Sequence, residues 1–342
     1  MGQSGTTARE PARTVGQVGA RPAGRARPRT ALVLGAGGVL GAAWMTGALP
    51  TVQDLLPCPV GDVDVMLGTS AGSVLTAALR CGASIEEMIS FQRGEPVGAL
   101  AGIGPVHGGP WPRPPRLRFG SPRLMACALM APHRIHPTVG ASAWLPVGRE
   151  NHLGLRAMVH RLHEQAARRH PAAPHWVDRG TTWVVAVDYE SGQRVVFGRP
   201  GAPQASLADA VVASCSVPGW FEPYVIGDRR YVDGGVRSST SLGILAAERI
   251  DRVVVLAPMA SEVADRPREP HKRLERRVRA LLTHALQREV RALRAVGTRV
   301  TVLTPGPEDL AVMGVNLMDP RRQRAVLDTS LRTTPLLRAA AA

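Results

Sequence analysis

A short apolar run, a glycine-bearing turn and a helix-forming stretch occur twice within the first eighty residues, and this repetition limits the fold more than any other feature of the 342-residue chain. The first unit is Ala31-Leu32-Val33-Leu34, then Gly35-Ala36-Gly37-Gly38-Val39-Leu40-Gly41, then Ala42 to Leu49. The second is Val63 to Leu67, then Gly68-Thr69-Ser70-Ala71-Gly72, then Ser73 to Leu79. Short apolar strands that each feed a helix predict an open, mostly parallel α/β sheet sandwiched by helices. Further strands are expected at Thr182 to Asp188, Arg194 to Phe197, Arg252 to Leu256 and Arg299 to Leu303, with a helix over Leu207 to Ser214.

The second turn has the form of a nucleophile elbow, in which a strained strand-to-helix turn lifts the Ser70 hydroxyl clear of the backbone between two glycines. A helix-capping serine is the competing reading. The first turn places Gly37-Gly38 at a helix start, where bare N–H groups suit a phosphate or the oxyanion of acyl transfer. Dinucleotide binding fits poorly. The G-x-G-x-x-G spacing from Gly35 and Gly37 requires glycine at position 40, which is Leu40, and the third glycine arrives one residue late at Gly41. A third cluster, Tyr231-Val232-Asp233-Gly234-Gly235-Val236, follows Ala213 to Pro223 and puts a carboxylate at a strand end, although Asp-Gly is also an ordinary hairpin turn. Asp188 ends its strand in the same way and is the rival carboxylate.

Taken together in this order, the loop Gly35 to Gly41, the elbow Gly68 to Gly72, the segment Ala213 to Pro223 and Asp233-Gly234-Gly235 resemble the patatin-like phospholipases over roughly residues 30 to 320. The resemblance implies a three-layer α/β/α fold and a lipid or other acyl ester as substrate. Ser70 would be the nucleophile, Asp233 its base, and Gly37 and Gly38 the oxyanion hole, with no metal or organic cofactor. One position departs: family members often carry Arg or Lys just before the last loop glycine, and here Leu40 stands there. That weakens the case for a phospholipid headgroup more than the case for an acyl ester. Two alternatives stay open. One is a Ser-Asp-His carboxylesterase or thioesterase using His271 or His284. The other is a catalytically silent relative that binds lipid or protein.

The motifs must converge on one site, so residues 30 to 330 are expected to form one domain, flanked by a disordered basic tail (1 to 29) and a C-terminal tail (331 to 342). The Gly- and Pro-rich stretch 91 to 146, with His107, His133 and His136 but no metal-ligand spacing, is expected to be a cap or lid. The net charge of +15 comes almost wholly from arginine, with Lys272 the single lysine. It is compatible with peripheral contact to anionic membranes, whereas 4% aromatic content and the lack of zinc or helix-turn-helix spacing speak against specific nucleic-acid binding. Residues 271 to 296 read as a long amphipathic helix, either covering the sheet or docking on lipid, and Met313 to Asp319 as a segment at the end of the sheet. The scattered Cys58, Cys81, Cys127 and Cys215 and the absence of a secretory signal predict reduced thiols in a cytoplasmic protein, with Cys215 beneath the site.

Overall fold

The computed structural model describes residues 27–104, 111–169, 176–262 and 267–341. The expected basic tail, apart from its last three residues, lies outside the described residues, as do His107 and Gly108-Gly109-Pro110. Eight strands form one sheet: β1 (Thr30–Leu34), β2 (Val65–Thr69), β3 (Thr181–Asp188), β4 (Arg194–Phe197), β5 (Tyr224–Ile226), β6 (Arg229–Asp233), β7 (Arg252–Leu256) and β8 (Arg299–Leu303). Their order is β5-β6-β3-β2-β1-β7-β8, with β4 paired to β3. Pairing is parallel from β3 through β2, β1 and β7 to β8, and antiparallel among β3, β4, β5 and β6.

Parallel strands buried on both faces read as unbroken apolar runs, and β1 illustrates why. Leu32 and Leu34 pack to one side with Trp44, Met66 and Leu79, while Ala31 and Val33 pack to the other with Leu67, Val253 and Leu286. The described helices are α1 (Gly38–Leu55), α2 (Ala71–Arg80), α3 (Ile85–Gln92), α4 (Pro122–Met130), α5 (Pro137–Ser142), α6 (Leu153–Arg169), α7 (Leu207–Cys215), α8 (Pro270–Ala295), α9 (Pro307–Met313) and α10 (Gln323–Ala341). Helices α1, α2, α6 and α7 supply the first face, and α8 with the 3-10 turn Leu242–Ala247 the second, which gives the three expected layers. The register Ala31↔Val65 and Ala31↔Val253 levels the carboxyl ends of β2, β1 and β7. From β1 the chain continues to β2 on one side, and β7 returns on the other, so the crevice outside these ends is where such sheets place ligands.

Two elements differ from the sequence reading. Helix α10 crosses residue 330 and buries Thr333 and Thr334, because its turn at Ser330 packs closely on α1: the Ser330 hydroxyl donates to the Trp44 carbonyl at 2.7 Å. Of the segment 91 to 146, α4 and α5 lie on the ends of β3 and β6, where Leu124, Ile135 and Val139 pack with Val187, Tyr189 and Val232. Composition marked this stretch as irregular but carried no information about which part of the sheet would receive it. Asp233 ends β6 as expected and caps a 3-10 turn, Gly234–Val236, in place of the alternative hairpin, its carboxylate accepting the Gly235 N–H at 2.6 Å.

The elbow is fastened to β1 by the Gly72 N–H, which donates to the Gly35 carbonyl at 3.1 Å. A Cβ at Gly72 would fall 1.9 Å from the Leu34 carbonyl oxygen. Gly72→Ala is therefore expected to cost about 3 kcal/mol, because backbone on both sides leaves no route for relaxation. Urea denaturation of that variant measures the loss.

Candidate active site

Ser70 stands between β2 and α2 with φ 53 and ψ −123, and Ser241 is the other non-glycine residue with positive φ among the described residues. A side chain held in this region is strained, and such strain tends to collect at functional sites. Two bonds hold the turn. The Ser70 N–H donates to the Ser214 hydroxyl at 2.8 Å, and that hydroxyl donates to the Val185 carbonyl at 2.6 Å. Position 214 thus secures the elbow from α7 although it is 144 residues away in sequence.

Asp233, at the end of β6, is buried, and its carboxylate accepts hydrogen bonds from the Ser70 side chain and the Gly235 N–H. Burial pushes its pKa up to about 6, and the two hydrogen bonds pull against that rise without cancelling it. The structure thus brings the two expected residues into direct contact.

Beside them, Gly37 is the N-cap and Gly38 the first residue of α1. A helix leaves its first N–H groups without intrahelical acceptors, and among the described residues no backbone carbonyl takes the Gly37 or Gly38 N–H. Gly38 has φ +61, and a Cβ there would approach the Met318 sulfur to 2.8 Å. The adjacent Leu40 N–H donates to the Leu317 carbonyl at 2.9 Å. Residues 317 and 318, expected only near the end of the sheet, therefore hold the glycine loop in place. Gly35 and Gly41 both pack against the Pro258 ring, Gly68 against α2, and Gly234 against the Val185 carbonyl. Leu40 itself is fully buried, so no cation occupies its position beside the loop.

A cavity of about 140 Å³ opens from Ser70 and Gly38. Val74, Leu75 and Ala78 of α2 form one wall, Met88 and Phe91 of α3 a second, and Leu155 and Met158 of α6 a third. The rim comes from Glu150, Asn151, His152, Val217, Trp220 and Phe221, and of the expected cap only Phe91, Gln92 and Leu100 take part. No Lys or Arg lines it. Cys215 lies beneath, 3.8 Å from the Ser73 hydroxyl, and burial raises its thiol pKa far above the usual range.

Sequence reasoning missed His152. Its ring stacks on Phe221 at 3.8 Å between centroids, and burial lowers its pKa to about 4 despite a hydrogen bond to the Cys215 backbone. His152 lines the cavity, and its Nε2 is buried without a hydrogen-bond partner among the described residues. His271 and His284, the histidines of the triad alternative, are exposed on α8 and line no part of the cavity. Asp188, the rival carboxylate, is committed elsewhere: it accepts the Glu190 and Ser191 N–H groups and the Arg229 guanidinium at 2.8 Å. Burial raises its pKa, but those bonds outweigh burial and hold it below the usual carboxylate range. Among the described residues, no group of three His, Cys, Asp or Glu side chains could hold a metal ion. None of the described helices is long and apolar enough to cross a membrane.

Residues 151–246, which include Asp233 and His152, match the family model described as patatin-like phospholipase. Among solved structures, VipD from Legionella pneumophila aligns with 13% identity over 89% of this chain and 68% of its own, at a TM-score of 0.38. The type III effector protein ExoU aligns with 12% identity over 90% of this chain and 52% of its own, at a TM-score of 0.37. This chain thus spans about two thirds of the first and about half of the second. No curated protein matches it. The family comparison thus agrees with the resemblance drawn from the motifs over residues 151–246, the part that holds Asp233, while Ser70 and the glycine loop lie outside the matched part.

Proposed function

We propose that the protein is a lipid acyl hydrolase that cleaves acyl esters through a Ser70–Asp233 dyad and an acyl-serine intermediate. The observation that carries this reading is the contact between a strained, glycine-flanked serine and a buried carboxylate whose pKa is raised to about 6. A carboxylate at that value is ionised at neutral pH yet basic enough to take a proton in the transition state.

Asp233 accepts the Ser70 proton as Oγ attacks the ester carbonyl carbon. The oxyanion of the tetrahedral intermediate takes hydrogen bonds from the Gly37 and Gly38 N–H groups. On collapse the C–O bond to the leaving alcohol breaks, and protonated Asp233 returns the proton to that oxygen. Water then attacks the acyl-Ser70 carbonyl while Asp233 takes its proton, and collapse regenerates the Ser70 hydroxyl and releases the fatty acid. The apolar cavity along α2, α3 and α6 receives the acyl chain.

A fluorophosphonate that adds one label to the parent, read by intact mass, and none to Ser70→Ala supports the reading; a folded parent that stays unlabelled overturns it in favour of a silent lipid- or protein-binding relative. The pH profile separates the dyad from a histidine-based triad. With Asp233 as base, kcat/KM for p-nitrophenyl butyrate falls about tenfold per pH unit below about 6. His152, with its pKa lowered to about 4, is still neutral where the profile turns near pH 6, so His152→Gln is expected to keep the same midpoint. A midpoint that moves with His152, His271 or His284 substitutions assigns the base to histidine.

A further inference from the structure

The segment between α3 and α6 exposes large apolar side chains of a kind that water-facing loops rarely gather. Residues 116–120 run antiparallel to residues 143–147 as a short ribbon: the Arg116 N–H donates to the Val147 carbonyl at 2.8 Å, the Val147 N–H to Arg118 at 2.9 Å, and the Gly120 N–H to Leu145 at 3.0 Å. Leu117 projects from it fully exposed, Phe119 is 54% exposed, and Trp144 and Leu145 are 47% and 45% exposed. Phe119 and Trp144 form an edge-on aromatic pair at 6.1 Å, which fixes both rings at the surface. The exposed side chains of Arg118, Arg123 and Arg149 stand on the ribbon and its flanks without an ion pair among the described residues.

The ribbon is continuous with the cavity rim. A Cβ on Gly219 would meet Leu145 at 3.8 Å, and Gly148 packs on the Trp220 backbone. Glu150 accepts the Glu222 N–H at 3.3 Å and donates its own N–H to Trp220 at 3.3 Å. Trp220 and Phe221 line the cavity that opens at Ser70, and Leu153, 70% exposed, follows the rim residue His152. Aromatic and aliphatic side chains set among unpaired arginines are the composition that settles at a lipid–water interface, with apolar groups among the acyl chains and guanidinium groups at anionic headgroups.

We infer that the ribbon 116–120/143–147 is the surface by which the protein docks on an anionic lipid bilayer, delivering acyl chains from the membrane to the cavity at Trp220 and Phe221. The purpose of docking rests on the acyl-hydrolase reading, whereas the docking itself does not need turnover. This also gives a role to residues 116–120 and 143–147, drawn largely from the stretch whose composition suggested a lid: they face the substrate phase.

The test uses the full chain carrying Ser70→Ala, sedimented with phosphatidylcholine vesicles with and without phosphatidylglycerol. Leu117→Ser combined with Phe119→Ser is expected to lower partitioning at least tenfold on both vesicle types. Arg118→Glu is expected to lower binding to the anionic vesicles about fivefold or more and to leave the neutral vesicles nearly unaffected. The same substitutions in the Ser70 parent are expected to leave p-nitrophenyl butyrate hydrolysis intact, which also reports that the variants fold; Leu117→Ser alone replaces a double variant that melts early, and Arg123→Glu a charge variant that does. Failure of the parent to bind vesicles, equal binding by parent and ribbon variants, or a parent dimer in light scattering that the variants lose overturns the docking surface. If soluble-ester hydrolysis persists in that case, the hydrolase reading survives alone. Vesicle binding without hydrolysis of any ester leaves docking in place and removes the dyad.

Discussion

Ser70→Ala is expected to lower ester hydrolysis by about four orders of magnitude or more, since the covalent intermediate disappears and only binding and the oxyanion loop remain. Steady-state hydrolysis of p-nitrophenyl butyrate, together with loss of fluorophosphonate labelling, measures this. The fold is expected to be indifferent to the change, because the bonds that hold the elbow involve the Ser70 backbone N–H and Ser214, and not the Ser70 hydroxyl. Ser70→Gly goes further. It removes the same hydroxyl and also the Cβ that makes φ 53 costly, so it is expected to be as inactive as the alanine variant while gaining about 1 kcal/mol of stability. A glycine variant that melts below the parent would show that the elbow is not strained.

Asp233→Asn is the second large effect. Hydrolysis is expected to fall about a thousandfold, because an amide cannot accept the Ser70 proton. Stability is expected to move the other way. The folded pKa of about 6 lies above the unfolded value near 3.8, so the native state holds this proton more tightly. The group's contribution is therefore present below pH 3.8 and is lost as pH rises through about 6. At pH 8 the ionised carboxylate costs on the order of 3 kcal/mol, which the neutral isostere is relieved of. Urea unfolding at pH 8 and at pH 5 measures the gain, and the difference between parent and variant is expected to shrink at the lower pH. Equal loss of activity and stability would mean that Asp233 holds the fold and is not a strained base.

What the sequence disclosed and what it hid follow from the range of the interactions involved. Strands β1, β2 and β7 were legible because burial on both faces leaves a near-continuous apolar signature, and the elbow because Gly68, Ser70 and Gly72 answer to local sterics. Ser214, Met318 and His152 reach the site through tertiary contacts and leave no local mark near Ser70. Helix α6 did carry a signal, since Leu155, Met158, Val159 and Leu162 fall on one helical face, but it is set among arginines and histidines that mask it. The glycine- and proline-rich stretch showed irregularity truly and its destination not at all, because which surface a loop covers is decided by the sheet and not by the loop.

The hold of Leu317 and Met318 on the glycine loop, reinforced by Ser330 on Trp44, has a consequence for timing during synthesis. Serine, carboxylate and glycine loop all emerge from the ribosome well before the segment that sets the loop's position. A nascent chain therefore holds the proposed dyad and its glycine loop before it holds the brace that aligns them, so the site takes its shape only after that later segment has been made.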